Sequence, residues 1–130
     1  VPVVMFCPCG TGKSYDECCK PFLKGNKRPS KPEELMRSRY TAYTQQNFDY
    51  IEETMRGEPL KAFDRARSKI DAHELKWLKL EVLSSYENGD NGAVEFIAFY
   101  QYQGEDQAMQ EVSTFKKYDG KWYYVKGVVS

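Results

Sequence analysis

Cys7-Pro8-Cys9 and, after eight intervening residues, Cys18-Cys19 bring four thiols together at the front of the chain, and no cysteine follows them. Thiols this close converge on one point, whereas disulfides that stabilise a domain connect distant ones. A disulfide acts chiefly by closing a loop of the unfolded chain, and any pairing here closes about a dozen residues or fewer. Such a loop staples nothing beyond itself, and bridging the neighbours Cys18 and Cys19 demands an unusual peptide geometry. Four thiolates at this spacing suit one tetrahedral Zn²⁺, bound through sulfur at about 2.3 Å. Cys7 and Cys9 would form one knuckle, Cys18 and Cys19 the other. Four protein ligands leave no place for a catalytic water, so a single structural metal is expected. The spacing departs from the commoner C-x₂-C form, and free thiols or redox chemistry stand as the competing readings.

The neighbouring residues fit such a centre. Gly10 and Gly12 allow tight turns that bring backbone N–H groups toward sulfur. Lys13 and Lys20 are placed to offset the charge of about −2 on a four-thiolate zinc, although solvated lysines are the plainer reading. Gly10-Thr11-Gly12-Lys13-Ser14 imitates the tail of a phosphate-binding loop. The full pattern needs glycine where Cys7 stands, a strand before it and a long helix after it. Pro21 follows too soon, and nucleotide binding is rejected.

With 130 residues, 41% hydrophobic and 15% aromatic, the chain can build one core and a small metal-binding lobe. The formal net charge of zero argues against a nucleic-acid surface. Lys20, Lys24, Lys27, Arg28 and Lys31 form a basic run read as a solvated linker. No apolar stretch approaches the length of a membrane span. The opening Val1-Pro2-Val3-Val4-Met5-Phe6 is too short and uncharged for a secretion signal. Reduced metal-binding thiols then predict a cytoplasmic protein.

Several elements must position these groups. Ser30 with Glu33 reads as a capping box, with Pro32 in the first turn. Met36, Tyr40 and Tyr43 then make one apolar stripe, and Arg37, Arg39 and Gln45 lie off it. Asn47 caps a second helix through Met55, burying Phe48, Ile51 and Met55. A third helix carries Leu60, Phe63, Ala66 and Ile70. After His73 the period alternates: Leu78, Leu80 and Val82, then Val94 to Tyr102, then Met109 to Tyr118, then Trp122 to Val129. Turns fall at Asn88 to Gly92, at Gly104-Glu105-Asp106 and at Asp119-Gly120, the last a strong two-residue hairpin signal. Helices followed by a four-stranded antiparallel meander predict an α+β fold, three helices on one face of a curved sheet.

Cys7-Pro8-Cys9-Gly10-Thr11-Gly12-Lys13-Ser14-Tyr15 through Cys18-Cys19 resembles the SEC-C motif, the zinc-binding tail of the SecA translocation motor. Leu35-Met36-Arg37-Ser38-Arg39-Tyr40-Thr41-Ala42-Tyr43 and Asp119-Gly120-Lys121-Trp122-Tyr123-Tyr124-Val125 resemble the bacterial YchJ family of uncharacterised proteins. The resemblance implies a SEC-C motif over residues 1–25 and a cone-shaped domain similar to nuclear transport factor 2 over residues 30–130. It further implies one structural Zn²⁺ on Cys7, Cys9, Cys18 and Cys19. Relatives place His and Arg on the third strand, where this chain has Gln110, Val112 and Thr114, and Thr-Trp-His where it has Thr54-Met55-Arg56.

Cones of this type include isomerases and dehydratases that need a tuned acid or base in the cavity. Here the candidates are His73, Asp49, Asp64, Asp71, Glu95 and Glu111, each better read as an ordinary surface or boundary residue, and no catalytic residue is assigned. Arg37 and Arg39 point to different sides of their helix. One is expected to anchor it to a carboxylate such as Glu95, or to enter the cone as an anion hook. Tyr40, Tyr43, Trp122 and Tyr124 belong to an aromatic set that builds the core and lines any ligand pocket. In SecA the similar motif contacts a chaperone and the ribosome. That implies a protein partner for the zinc lobe through Lys13, Tyr15, Lys20 and Phe22, with ribosome contact the remaining link to nucleic acid. An interaction or adaptor module is preferred, and a small-molecule-binding or isomerase-like cone is the alternative.

Overall fold

A computed structural model describes residues 5–129, so residues 1–4 of the apolar opening lie outside it. A single 3₁₀ turn, Tyr15–Glu17, leads into α1 (Lys20–Leu23), α2 (Pro32–Thr44), α3 (Phe48–Glu53), α4 (Glu58–Ala62) and α5 (Arg65–Glu74). Four strands follow, β1 (Leu75–Asn88), β2 (Asn91–Tyr102), β3 (Glu105–Tyr118) and β4 (Lys121–Val129), paired antiparallel in chain order. The predicted α+β architecture of helices on a curved four-stranded meander is what forms. The third helix is in fact two. Asp64 leaves helical geometry and its carboxylate caps α5 by accepting from the Arg67 N–H at 3.1 Å. Leu60 and Ile70, placed on that helix, are exposed.

Helix α2 organises the molecule. Pro32 starts it, and Glu33 and Glu34 sit where its N-terminal dipole favours negative charge. The capping partner of Ser30 is Glu34, whose Oε1 accepts from both the Ser30 N–H and hydroxyl at 2.8 Å. Glu33 binds Arg37 instead. Met36 and Tyr40 are buried toward the sheet, while Ser38, Arg39 and Thr41 are buried on the remaining sides. The helix therefore has partners nearly all round: the sheet, α3 and the cysteine segment. Asn47 caps α3 as expected, accepting from the Tyr50 N–H at 3.2 Å.

The sheet departs from simple alternation at three places, two in β1 and one where β4 pairs with Thr114 and Phe115 of β3. Register shifts between Trp77 and Lys79, and between Val82 and Ser84, mark β-bulges in β1. The first turns Trp77 inward with Leu80, and leaves Leu78, predicted to be half-buried, at the surface. Each hairpin loop has two residues, since Asn88 pairs with Asn91, Tyr102 with Glu105 and Tyr118 with Lys121. The middle loop is thus Gln103-Gly104, one residue earlier than the sequence suggests. Asp119 and Gly120 both take positive φ, the mirror-image turn that matches strand twist.

Candidate functional site

The cysteine segment is built as two short turns laid against α2. An isolated bridge between Phe6 and Ser14, with Cys7 N–H bonded to the Lys13 carbonyl at 2.9 Å, closes the first knuckle. The 3₁₀ turn and the start of α1 carry Cys18 and Cys19 back to it. The four Sγ atoms lie within 4.8 Å of one another. Cys9 Sγ is 3.5 Å from Cys18 Sγ, which is 4.0 Å from Cys19 Sγ. A tetrahedral ion with 2.3 Å bonds to sulfur has sulfur–sulfur edges of about 3.8 Å. The residues present fit such an ion.

Cys7, Cys9 and Cys19 are buried, and Cys18 is half-buried. Cys7 is lowered because Cys19 and Cys9 donate toward its sulfur. Burial pushes the Cys18 thiol up to about 11. Cys19 is raised by its hydrogen bonds with Cys7 and Cys9. The groups that support the sulfurs are hydroxyls rather than the anticipated lysines. Thr41 Oγ1 donates to Cys19 Sγ at 3.3 Å and lies 3.7 Å from Cys7 Sγ, while Thr11 Oγ1 is 3.1 Å from Cys18 Sγ. Lys20 pairs with Asp16 at 3.3 Å. Arg37 Nη1 donates to the Cys9 carbonyl at 2.6 Å, and its Nε to Glu33 at 2.9 Å. Arg37 therefore anchors the cysteine turn to α2, not the helix to Glu95.

A second site opens between α2 and the concave face of the sheet. This cavity of about 300 Å³ is lined by Arg39, Tyr40, Tyr43, Trp77, Glu111 and Tyr124, with Phe96, Phe115, Met109 and Ser113 among its remaining walls. Arg39 enters it, and its Nη1 donates to the Ile51 carbonyl at 2.9 Å and to Thr54 Oγ1 at 2.7 Å. Its guanidinium carbon sits 4.6 Å from the Tyr124 ring. Thr54 is held in turn by a 2.8 Å bond from Tyr124 N–H to its carbonyl, joining the end of α3 to β4. Trp122 takes no part in the cavity. It is fully buried, and its indole N–H reaches the Ser30 carbonyl at 3.3 Å.

The other anticipated residues fall elsewhere. His73 is exposed at the end of α5. Asp49 and Asp71 pair with Arg65 and Arg67. Glu95 accepts from Gln110 at 2.9 Å on the outer face of the sheet. Gln110, Val112 and Thr114 alternate with the cavity-lining Met109, Glu111 and Ser113, so polar substitutions there do not face the cavity. Phe22, expected on a docking surface, is buried in the core. Thr41 and Thr11 were the functional positions not singled out, and Glu111, weighed above as an ordinary sheet residue, lines the cavity. Thr41 lies one helical turn from Arg37, and Glu111 shares strand parity with buried Phe115, which are the signals that point to them.

A family described as the YchJ middle NTF2-like domain matches residues 31–127. A UPF0225 protein of Geobacter sulfurreducens is 41% identical over 124 residues, 93% of this chain and 77% of the relative. Another, from Serratia proteamaculans, is 39% identical over 127 residues, 93% and 81% of the two chains. The solution structure of a SEC-C motif containing protein from Rhodopseudomonas palustris superposes with a TM-score of 0.89 at 44% identity, covering 95% of this chain and 98% of that one. A crystal structure of a SEC-C motif containing protein from Psychrobacter arcticus gives 0.80 at 29% identity, covering 95% and 82%.

Proposed function

This chain belongs to the YchJ family, and on that premise we propose that it is a zinc-binding interaction module whose metal is structural. Cys7, Cys9, Cys18 and Cys19 hold one Zn²⁺, and the metal fastens the N-terminal segment to α2. The convergence of four sulfurs within 4.8 Å carries this reading. Closing four ligands around zinc supplies folding energy rather than a catalytic water. No helix of the described residues is long and apolar enough to cross a membrane, and reduced thiols fit the cytoplasm.

The docking surface is the rim of the cysteine turn, where Met5 and Phe6 are 74% and 69% exposed beside exposed Lys13. Apolar side chains left this accessible suit a protein partner better than a nucleic acid. A small-molecule role for the cone is the second reading, favoured by its open, aromatic-walled cavity. Purified protein should contain one zinc per chain, and chelation should release four titratable thiols and lower the melting temperature. Metal-free protein with an unchanged melting temperature after chelator would refute the metal centre. Phe6→Ser, which leaves the sulfurs alone, should abolish capture of the partner that wild type retains. Equal capture by both would remove the docking role.

A further inference from the structure

Arg39 is 6% exposed, and its charge has no carboxylate partner among the ion pairs of the described residues. A guanidinium does not lose its proton in a protein, so this is a permanent buried cation. Its five N–H donors divide unevenly. The two on Nη1 are consumed by Ile51 and Thr54, and one face of the group lies on the Tyr124 ring. The edge formed by Nε and Nη2 keeps its donors, and Arg39 borders the cavity. That edge is the planar fork that matches the two oxygens of a carboxylate. Around it the walls are flat and apolar: Tyr40, Tyr43, Trp77 and Phe96.

We infer that the cone binds a small organic carboxylate with a flat apolar body, its oxygens on the Nε–Nη2 edge of Arg39 and its body among the aromatic rings. The inference rests on the reading of the cone as a small-molecule site and adds the class of ligand. The volume of about 300 Å³ lies at the small end of ligand pockets, which admits a single-ring acid. Glu111, the one acidic side chain among the lining residues, is held by a 2.6 Å bond from the Ser113 hydroxyl. It repels a second anion. The cavity thus selects monocarboxylates over dicarboxylates.

Titration of the zinc-loaded full chain with benzoate, phenylacetate and 3-phenylpropionate, against the matching amides, tests this by tryptophan fluorescence, read in a Trp122→Phe background that leaves only Trp77, and by amide chemical shifts. The acids should bind at least tenfold tighter than the amides. Glu111→Gln should tighten the acids several-fold and leave the amides unchanged, and Arg39→Met should erase the difference. Arg39 also ties α2 to α3, so if Arg39→Met fails to fold, Glu111→Gln alone decides. Acids and amides binding equally, with Glu111→Gln silent, would overturn the carboxylate assignment while leaving a small-molecule cone. No shift at cavity residues with any probe at millimolar concentration would overturn the cone reading itself.

Discussion

Thr41 connects the cysteine cluster to the fold with a single hydroxyl. Its Oγ1 lies 3.3 Å from Cys19 Sγ, 3.7 Å from Cys7 Sγ and 3.2 Å from the Arg37 carbonyl one turn back, so sulfur and carbonyl share its one proton. Hydrogen bonds to ligating sulfurs orient them and disperse their charge, and losing such a partner commonly costs about 10–100-fold in metal affinity. Thr41→Val preserves shape and removes only the hydroxyl, so a competition titration with a chromogenic chelator should show a fall of that size. Unchanged affinity would reduce Thr41 to a packing residue. The four cysteines were legible in the sequence because their spacing alone brings them together. Thr41 was not, because a threonine on a helix announces nothing until the segment packed on it is known. Arg39 shows the same limit: its helical position was readable, but a helix buried on several sides gives an off-stripe residue no route to water.

At the scale of elements, local signals located what local chemistry decides. Asn47 capped α3, and Asp119-Gly120 formed a hairpin, because cap and turn are settled within a few residues. The bulge at Leu78 was invisible, since it depends on how β1 pairs with β2 rather than on β1 itself. Its effect is large, because one extra residue moves Trp77 onto the cavity face. Gly92 marks another long-range constraint. It lies buried where β2 begins, and an added Cβ would collide with the Pro32 ring and come within 3.2 Å of the Tyr86 carbonyl. Pro32 is rigid and opens α2, so neither side can yield without moving helix or sheet. Gly92→Ala should destabilise the fold by about 1–3 kcal/mol, read as a lower denaturant midpoint with an unchanged slope. A midpoint equal to wild type would mean that α2 shifts freely on the sheet.

The molecule as a whole shares one interior. Cys7, Cys9, Cys19 and Phe22 belong to the same buried cluster as Leu35, Ile51, Phe115 and Trp122. Three tyrosines lie within this interior: Tyr40 and Tyr124 on the cavity walls, and Tyr50 beneath α2 with its hydroxyl 2.7 Å from Ser38. Burial pushes each of the three up to about 12 from the ordinary 10.0. The folded state therefore keeps protons that the unfolded chain releases. Their contribution to stability is complete below pH 10 and is lost as pH rises through about 12. Tyr40 lies in α2, Tyr50 in α3 and Tyr124 in β4, so ionising them loosens three different elements. Denaturant midpoints should stay level to about pH 9 and then fall steeply to pH 12. Absorbance at about 295 nm should show three of the ten tyrosines ionising only as the chain unfolds. Titration of all ten near their ordinary value with the fold intact would mean that water already reaches these hydroxyls, and that the interior joining sheet, helices and cysteine segment is looser than its packing indicates.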